Sequence, residues 1–372
     1  MLKLSFIFGT RPEVIKLAPV IKAFLDCRQT DVKICFTGQH REMVLPLLDF
    51  FDLKVDDSLD IMQPGQTLAG LTARSITAVD AYLENRRPDL IFVQGDTTTA
   101  MSAATAAFYK KIKIAHVEAG LRTFNRFSPF PEEFNREVIS RIADLHFAPT
   151  QTAADNLLKE GIEPSVVFVT GNTVIDALLL TRSRLNGAPA DKGHPWGKNG
   201  KKIILITGHR RENFGTGFEN ICLAIRELSA KYPDCDFVYP VHLNPNVQEP
   251  VNRLLQDLGN VYLVPPMGYV EFTSLMSQSY FILTDSGGIQ EEAPALHKPV
   301  LVMRDTTERD EAIRAGGAKL VGTNKVDIVG QVSGLIDNGN LYATMSSIVN
   351  PFGDGKASEK IVSHTLSRFN LL

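Results

Sequence analysis

The residues best suited to chemistry are Ser286-Gly287-Gly288, which follow a buried apolar run from Tyr280 to Leu283 and open a helix. The first N–H groups of a helix have no internal partner, and the helix dipole is positive at that end. Two glycines let an anion approach this backbone closely. The stretch predicts a diphosphate site, with Glu292 one turn further on to accept hydrogen bonds from a nucleotide ribose. A tight turn that only caps a helix is the alternative interpretation.

Carboxylates follow two other predicted strands. Asp96 comes after the apolar run from Leu90 to Val93, and Glu118 ends the run from Ile112 to Val117. Both fall at the carboxyl ends of strands, where open α/β sheets bind ligands. Capping of the next helix is the alternative role for Asp96. Glu132 follows a proline-containing loop, and the dipole of the next helix alone would favour an acidic residue there.

Basic residues occupy comparable positions. Arg11 ends the first strand of the chain, and His209 ends the first strand of the second half. Lys16 lies about one turn into a helix, and a solvated charge is a more favoured interpretation for Lys16 than for Arg11. Arg309 is a further basic residue that could bind an anion. If the two halves face each other, carboxylates and anion-binding groups meet in one cleft, which suits a nucleotide sugar.

Three competing patterns are weaker. Gly215-Thr216-Gly217 begins like a dinucleotide fingerprint, but the third glycine is missing and the turn does not directly follow a strand. Asp234-Cys235-Asp236 resembles a metal-binding pair but precedes its strand, at the wrong end of the sheet. His116 shares a strand face with Glu118 without an evident third ligand, which favours a core histidine. We therefore expect no cofactor and no metal.

The composition is that of an average globular protein. The chain has 372 residues, 44% hydrophobic and 22% charged, with a net charge of -3. This length favours two domains, and this charge indicates neither a nucleic-acid nor a membrane-surface partner. No apolar run approaches the ~20 residues that span a bilayer, and the N-terminus lacks the pattern of a signal peptide. Four cysteines without metal-site spacing fit a reducing cytoplasm.

Strand and helix patterns alternate along the chain, which predicts an α/β protein with two Rossmann-like doubly wound domains facing a cleft. Residues 1–170 would form the first domain, which carries the carboxylates. The pattern restarts at Lys202 after a linker rich in Gly, Pro and Lys at 186–200. Residues 171–355 would form the second, nucleotide-binding domain. The last helix, about 356–372, is predicted to pack back on the first domain.

Seven motifs extend over nearly the whole chain: Gly9-Thr10-Arg11-Pro12-Glu13, Gly95-Asp96-Thr97-Thr98-Thr99, His116 to Arg122, Pro131-Glu132-Glu133, Thr207 to Glu212, Asp285 to Glu292 and Arg304 to Arg309. As a set they closely resemble the bacterial non-hydrolysing UDP-N-acetylglucosamine 2-epimerases. The resemblance implies a glycosyltransferase-B-like fold and interconversion of UDP-N-acetylglucosamine and UDP-N-acetylmannosamine. It also suggests a cytoplasmic homodimer whose product feeds surface polysaccharide synthesis.

The same resemblance assigns roles to individual residues. The catalytic candidates are Asp96, Glu118, Glu132 and His209. The substrate-binding candidates, which include Met267 where some relatives have a glutamine near the uracil, are Arg11, Lys16, Met267, Phe272, Ser286, Gly287, Gly288, Glu292 and Arg309. Some relatives bind a second, activating substrate molecule, and the residues that would form its site here are Gln39, His40, Arg210 and His242. Glu42 and Gly65 differ from the residues expected in strongly regulated relatives, so regulation stays open.

The chemistry also has to be explained, because the proton at the sugar's second carbon is not beside a carbonyl. Transient oxidation would need a nicotinamide cofactor, which the weak glycine pattern does not favour. Elimination of UDP to a glycal, followed by re-addition, is the other route. A glycosyltransferase, a hydrolysing epimerase and a non-catalytic sensor are the rival classes.

Overall fold

The computed structural model describes residues 1–185, 193–307 and 309–371. The chain divides into two compact units. One contains Met1 to Ala177 together with the segment that begins at Phe352, and the other runs from Leu178 to Pro351. These bounds lie a few residues from the predicted domain boundaries. The first part of the predicted linker, 186–192, lies outside the described residues.

The strands are short, and the central strands of each sheet are largely buried. They are β1 (Leu2–Phe8), β2 (Thr30–Phe36), β3 (Asp57–Ser58), β4 (Leu90–Gln94), β5 (Lys113–Val117), β6 (Leu145–Ala148), β7 (Val167–Val169), β8 (Lys202–Thr207), β9 (Cys235–Pro240), β10 (Val261–Val264), β11 (Phe281–Thr284), β12 (Val300–Val302) and β13 (Ala318–Leu320).

Helices alternate with these strands. They are α1 (Arg11–Leu25), α2 (Arg41–Phe50), α3 (Leu68–Arg86), α4 (Thr98–Tyr109), α5 (Glu132–Ile142), α6 (Gln151–Lys159), α7 (Thr173–Leu185), α8 (Thr216–Lys231), α9 (Pro245–Leu255), α10 (Tyr269–Gln278), α11 (Gly287–Glu292), α12 (Asp310–Arg314), α13 (Lys325–Asp337), α14 (Gly339–Ser346) and α15 (Ala357–Arg368).

Each unit contains one parallel sheet. Over the described ranges, the first sheet has the order β3-β2-β1-β4-β5-β6-β7 and the second the order β10-β9-β8-β11-β12-β13. Counted from its own first strand, the second sheet has the order 3-2-1-4-5-6, which is that of the Rossmann fold, and the first sheet adds one strand to it. The predicted fold class, two Rossmann-like doubly wound domains, is confirmed.

Burial explains why these strands could be recognised as apolar runs. Every residue of β4 and β6 is buried, as expected where helices cover both faces of a parallel sheet. In the first unit Phe6 and Phe92 stack with ring centroids 4.5 Å apart. In the second, a large buried cluster includes Phe237, Tyr239 and Phe281. The strands pack into these two cores, and the ends of the strands carry the candidate site residues.

The strand order fixes where a ligand would bind. In each sheet the order reverses beside the first strand, between β1 and β4 or between β8 and β11. Ligands of open α/β sheets bind outside the carboxyl ends of the strands at such a reversal. Arg11 and Asp96 follow β1 and β4, while His209 and Ser286 follow β8 and β11.

Two smaller features differ from the sequence predictions. The two-residue strand β3 was not predicted, because Asp57 and Ser58 carry no apolar signal. The helix predicted from Gly288 to Leu296 is in fact α11 followed by a short 3-10 helix, Ala293–Leu296. None of the described helices is long and apolar enough to cross a membrane.

Candidate active site

The turn after β1 is held by the buried carboxylate of Glu13. Its Oε2 accepts hydrogen bonds from the backbone N–H groups of Gly9 and Thr10, at 3.0 and 2.7 Å, and its Oε1 accepts one from the Thr97 hydroxyl at 2.7 Å. Gly9 is required because a Cβ there would overlap the hydroxyl of Thr37. Glu13 thereby joins the ends of β1 and β4, the two strands at the reversal point.

Asp96 is half-buried at the end of β4 and pairs with Arg136 of α5. The guanidinium Nε of Arg136 lies 2.9 Å from Asp96 Oδ2. The Asp96 carbonyl accepts a hydrogen bond from Asn135 at 2.8 Å. The cap of α4 is the next residue, Thr97, whose hydroxyl accepts from the N–H of Ala100 at 3.0 Å. Capping therefore does not account for Asp96.

Glu118 is the most enclosed of the candidate carboxylates, 9% exposed. Lys16 Nζ lies 2.6 Å from both of its oxygens, Asn172 donates to Oε1 at 3.3 Å, and Gln94 donates to Oε2. Its φ of +65° is unusual for a residue with a side chain, and such strain is retained mainly at functional sites. The backbone and three donors thus fix this carboxylate in place.

The structure reverses the sequence-based interpretation of Lys16 and Arg11. Lys16 is largely enclosed and bonded to Glu118, whereas Arg11 is exposed. The helix pattern alone could not show this, because Lys16 is adjacent to Glu118 only after β5 is placed in the sheet. The assignment of Lys16 to a nucleotide-sugar contact stays a prediction.

Glu132 and Glu133 have different environments. Glu132 is the first residue of α5 and is half-buried, with no side-chain hydrogen bond or ion pair to any residue in the described ranges. Glu133 is fully buried and accepts from the N–H groups of Thr123 and Phe124 and from Arg136, at 2.8 to 2.9 Å. Glu133 holds the preceding loop, which leaves Glu132 as the carboxylate available to a ligand.

His116 is a core residue, as the sequence indicated. It is fully buried and its Nε2 lies 2.7 Å from the Gly95 carbonyl oxygen. Burial lowers the pKa of His116 to about 3, against the hydrogen bond to Gly95. No group of three or more metal-ligating side chains occurs among the described residues.

Two of the proposed regulatory residues lie beside the β1 turn. The Thr99 hydroxyl donates to Gln39 Oε1 at 2.9 Å. His40 is largely exposed at the start of α2. Partial burial of its ring, together with the nearby Arg11 charge, lowers the pKa of His40. Their regulatory role stays a prediction.

In the second unit, Asp285 organises the turn after β8. It is fully buried, and its Oδ2 accepts from the N–H groups of His209 and Arg210 at 2.9 and 2.8 Å. The His209 ring is partly exposed, with 43% of its side chain accessible, and it stacks on His242 with centroids 5.5 Å apart. The structure therefore brings these predicted residues together at the end of β8.

The predicted anion site has the expected backbone form. Ser286 is the N-cap of α11, but its hydroxyl makes no capping hydrogen bond to the residues described. Gly288 is exposed in the first turn. A Cβ on Gly288 would lie 3.6 Å from Glu292 Oε1, so Glu292 reaches back to the helix start. The Ser286 side chain thus makes no cap, and the choice between a diphosphate site and a tight turn that only caps the helix stays a prediction.

Arg309 is tied to the same helix. Its Nε donates to Glu291 Oε1 at 2.9 Å, and its N–H donates to the Thr307 hydroxyl at 3.1 Å. Thr307 in turn donates to Gln290 at 2.8 Å. These bonds hold the guanidinium against α11, the helix whose start is the predicted diphosphate site.

Met267 and Phe272 do not form an evident pair. Met267 lines a cavity of about 120 Å³ whose wall includes His194, Trp196 and Leu275, and Phe272 is not part of that wall. Phe272 is half-buried in the first turn of α10. A shared uracil site for both residues stays a prediction.

Two competing motifs can now be placed. Gly215 is the N-cap of α8, and a 3-10 helix, Arg211–Asn213, separates it from β8, so the glycine turn does not have the fingerprint position. Asp236 lies near the amino end of β9, where its Oδ2 accepts from the Gly197 N–H at 2.8 Å. Asp236 therefore lies away from the carboxyl ends of the strands, and Gly215 lies beyond the 3-10 helix that follows β8.

Sequence reasoning assigned no role to four residues that shape the site: Gln94, Arg136, Asn172 and Asp285. Asp285 directly follows β11, the same signal that singled out Asp96. The other three contact Asp96 or Glu118 from distant positions in the chain, and no local pattern marks them.

Charged groups at the reversal points of two Rossmann-like sheets define this protein as a two-domain α/β enzyme. A family model described as UDP-N-acetylglucosamine 2-epimerase matches residues 23–366. The chain is 51% identical over 369 residues to the UDP-N-acetylglucosamine 2-epimerase of Campylobacter jejuni, covering 97% of this chain and 96% of that protein. It is 49% identical over 366 residues to the Escherichia coli K12 enzyme, covering 97% of each.

Solved structures agree. The UDP-GlcNAc 2-epimerase of Neisseria meningitidis bound to UDP-GlcNAc superposes with a TM-score of 0.89 at 48% identity, covering 98% of this chain and 100% of that one. The Methanocaldococcus jannaschii enzyme in complex with UDP-GlcNAc and UDP has a TM-score of 0.75 at 34% identity, with coverage of 98% and 100%. The chain belongs to the UDP-N-acetylglucosamine 2-epimerase family.

Proposed function

We propose that this protein interconverts UDP-N-acetylglucosamine and UDP-N-acetylmannosamine by inverting the second carbon of the sugar. The observation that carries this proposal is the buried Glu118 carboxylate, held by Lys16, Gln94 and Asn172 at the carboxyl end of β5. A carboxylate fixed in this way is suited to moving a proton to or from a defined carbon. The family membership of the chain supplies the substrate.

The reaction proceeds by elimination and re-addition. Breaking the bond between the sugar and the diphosphate makes the ring oxocarbenium-like, which acidifies the neighbouring proton. A carboxylate takes that proton, leaving a glycal and UDP. Re-protonation on the opposite face of the second carbon, and return of UDP to the first carbon, give the epimer. The second carbon loses one proton and gains another, and the bond to UDP that breaks is formed again, so the reaction needs no oxidant or reductant.

The first unit supplies the acid and base. Asp96, Glu118 and Glu132 are the proposed groups, each worth roughly 10²–10⁴-fold when correctly placed. Arg136 and Lys16 hold two of them at fixed positions and balance their charge. Glu132 has no such partner within the described chain and is the group freest to exchange a proton.

The second unit supplies binding of the leaving group. Ser286, Gly287 and Gly288 present the start of α11 to the diphosphate, while Arg309 and His209 add donors. Such donors, aimed at developing negative charge, are commonly worth a few kcal/mol each. Glu292 would accept the ribose hydroxyls. Arg11, Met267 and Phe272 are proposed as further contacts to the nucleotide sugar.

Proton NMR of UDP-N-acetylglucosamine with the pure protein in heavy water tests the proposal. We expect deuterium at the second carbon of both sugars as equilibrium is approached, with a trace of glycal and UDP. Asp96→Asn should retain UDP binding and lose most of this exchange. Product without solvent deuterium would contradict the elimination route, since it would indicate internal return of a hydride.

The same spectra separate the rival classes. UDP accumulating in step with free N-acetylmannosamine would indicate a hydrolysing epimerase. Absence of any reaction until an acceptor sugar is added would indicate a glycosyltransferase. We also propose a cytoplasmic homodimer whose product supplies surface polysaccharide synthesis; four free cysteines fit a reducing compartment.

A further inference from the structure

The buried carboxylate of Asp285 has one oxygen that its backbone role does not use. Oδ2 accepts from the N–H groups of His209 and Arg210 and from Asn213 Nδ2, the last at 3.3 Å. Oδ1 has no hydrogen-bond donor among the described residues and lies 3.4 Å from Nδ1 of the His209 ring. A buried carboxylate oxygen without a donor is costly.

We propose that Asp285 is the positioning residue for His209, fixing the proton on Nδ1 so that Nε2 is the nitrogen presented to the substrate diphosphate. The inference rests on the proposed function for the identity of that ligand. The oxygen and the ring nitrogen lie 3.4 Å apart without a hydrogen bond in this structure, and only a proton on Nδ1 makes that contact attractive. The opposite tautomer would place two lone pairs against each other.

The surroundings of His209 determine how this arrangement works. Burial lowers the pKa of His209; Asp285 opposes that shift, and the neighbouring His242 and Arg210 add to it. The free ring is therefore neutral near pH 7. A bound diphosphate adds negative charge at Nε2 and favours the imidazolium, which donates from both nitrogens at once, to Asp285 and to the leaving group.

Asp285→Asn is a selective test because the side chain keeps its shape. The amide oxygen can still accept from the N–H groups of His209 and Arg210, so the turn is retained. The amide NH2 then faces Nδ1 and requires a lone pair there, which moves the ring proton to Nε2. This resembles the effect of replacing the aspartate of a serine protease triad with asparagine, which leaves the geometry and selects the wrong tautomer.

The ring nitrogens can be observed directly in protein labelled with ¹⁵N-histidine, with His209 assigned from the spectrum of His209→Gln. We expect the Nδ1–H tautomer in the unmodified protein and the Nε2–H tautomer in Asp285→Asn. The midpoint of the His209 titration should fall to lower pH in Asp285→Asn, because the charge that raises it is gone. Asn213→Ala, which also removes a bond to Asp285, should keep the original tautomer.

Turnover supplies the second readout. Asp285→Asn should lower kcat by about 10²-fold, with a smaller change in KM, and should have little further effect when His209→Gln is already present. An Nε2–H tautomer in the unmodified protein, or an unchanged tautomer in Asp285→Asn, would overturn the inference. Because the tautomer is read without substrate, an unmodified protein that fails to epimerise would refute the proposed function alone.

Discussion

The Lys16–Glu118 pair shows how a single side chain controls the site. The ammonium lies 2.6 Å from both carboxylate oxygens, and Glu118 is largely enclosed. Taking one partner away from such a pair leaves an uncompensated buried charge. We therefore expect Lys16 to act on the substrate through Glu118, whereas a direct contact to the nucleotide would make it a binding residue.

We predict that Lys16→Met lowers kcat by about 10²-fold and changes KM by much less, measured by steady-state epimerisation. The physical reason is the loss of the charge that holds Glu118 in its reactive position. Lys22→Met is the matched control, since Lys22 lies on the same helix and bonds the Phe51 carbonyl at 3.1 Å; it should keep near-normal kcat. A large rise in KM with kcat retained would assign Lys16 to substrate binding instead.

At the scale of residues, the types of the site residues could be predicted from the sequence, but few of their contacts could. Asp96 and Glu118 could be predicted because each follows an apolar run, and the end of a parallel strand is where ligands bind. Their hydrogen-bonding partners could not be predicted, because Arg136 lies 40 positions from Asp96 and Asn172 lies 54 positions from Glu118. Likewise, adjacent acidic residues Glu132 and Glu133 are equivalent in a helix pattern, and only packing shows which one is buried.

At the scale of elements, Glu13 connects three of them. It bonds the turn after β1, the first turn of α1 and the hydroxyl that caps α4. Burial raises the pKa of Glu13, against the hydrogen bonds from Thr97, Thr10 and Gly9. The folded protein therefore pays an ionisation cost at this carboxylate that the unfolded chain does not.

The stability of a Glu13→Gln variant should depend on pH in a defined direction. Below the ordinary pKa of 4.5, Glu13 of the unmodified protein is protonated in both the folded and the unfolded state. As the pH rises toward the raised pKa, the unfolded chain releases the Glu13 proton more readily than the folded protein does, so the free energy of unfolding of the unmodified protein falls. Glutamine cannot ionise, so the variant does not lose stability in this way. We expect the melting temperature of Glu13→Gln, relative to the unmodified protein, to rise across this range and then level off.

Glu13→Ala provides the control for that experiment. It removes the same charge together with the hydrogen bonds at the start of α1, which are worth typically ~1 kcal/mol for a capping group. Its melting temperature should be lower than that of Glu13→Gln throughout the pH range. A constant difference between Glu13→Gln and the unmodified protein from pH 4 to 8 would contradict the raised pKa.

Most elements could be predicted, because strands buried on both faces produce uninterrupted apolar runs such as Leu90 to Val93. Those runs gave the doubly wound class. The strand order of each sheet could not be predicted in this way, because it depends on pairing between distant parts of the chain. For example, β1 lies between β2 and β4, and no local sequence pattern indicates this. The candidate site lies where β1 and β4 pair, so its geometry could be obtained only from the structure.

At the scale of the whole molecule, the first unit is built from two separate stretches of chain. Asn172 N–H donates to the Phe352 carbonyl at 2.7 Å, where the chain re-enters the unit. Asp176, in the first turn of α7, accepts from the N–H groups of Ala357 and Ser358 at 3.2 and 2.7 Å. A side chain of one helix thus caps the start of α15, where a negative charge is also favoured by the helix dipole.

We predict that Asp176→Ala destabilises the first unit by about 1–3 kcal/mol, because two buried N–H groups lose their acceptor. Hydrogen exchange resolved by peptide is the measurement. Amides of α15 should exchange faster, and those of α8, in the second unit, should be unchanged. Glu359→Ala is the matched control, since Glu359 is exposed in the same turn of α15 and should leave exchange as it was. Unaltered protection of α15 in Asp176→Ala would mean that apolar packing of residues such as Ile361 holds the helix without its cap.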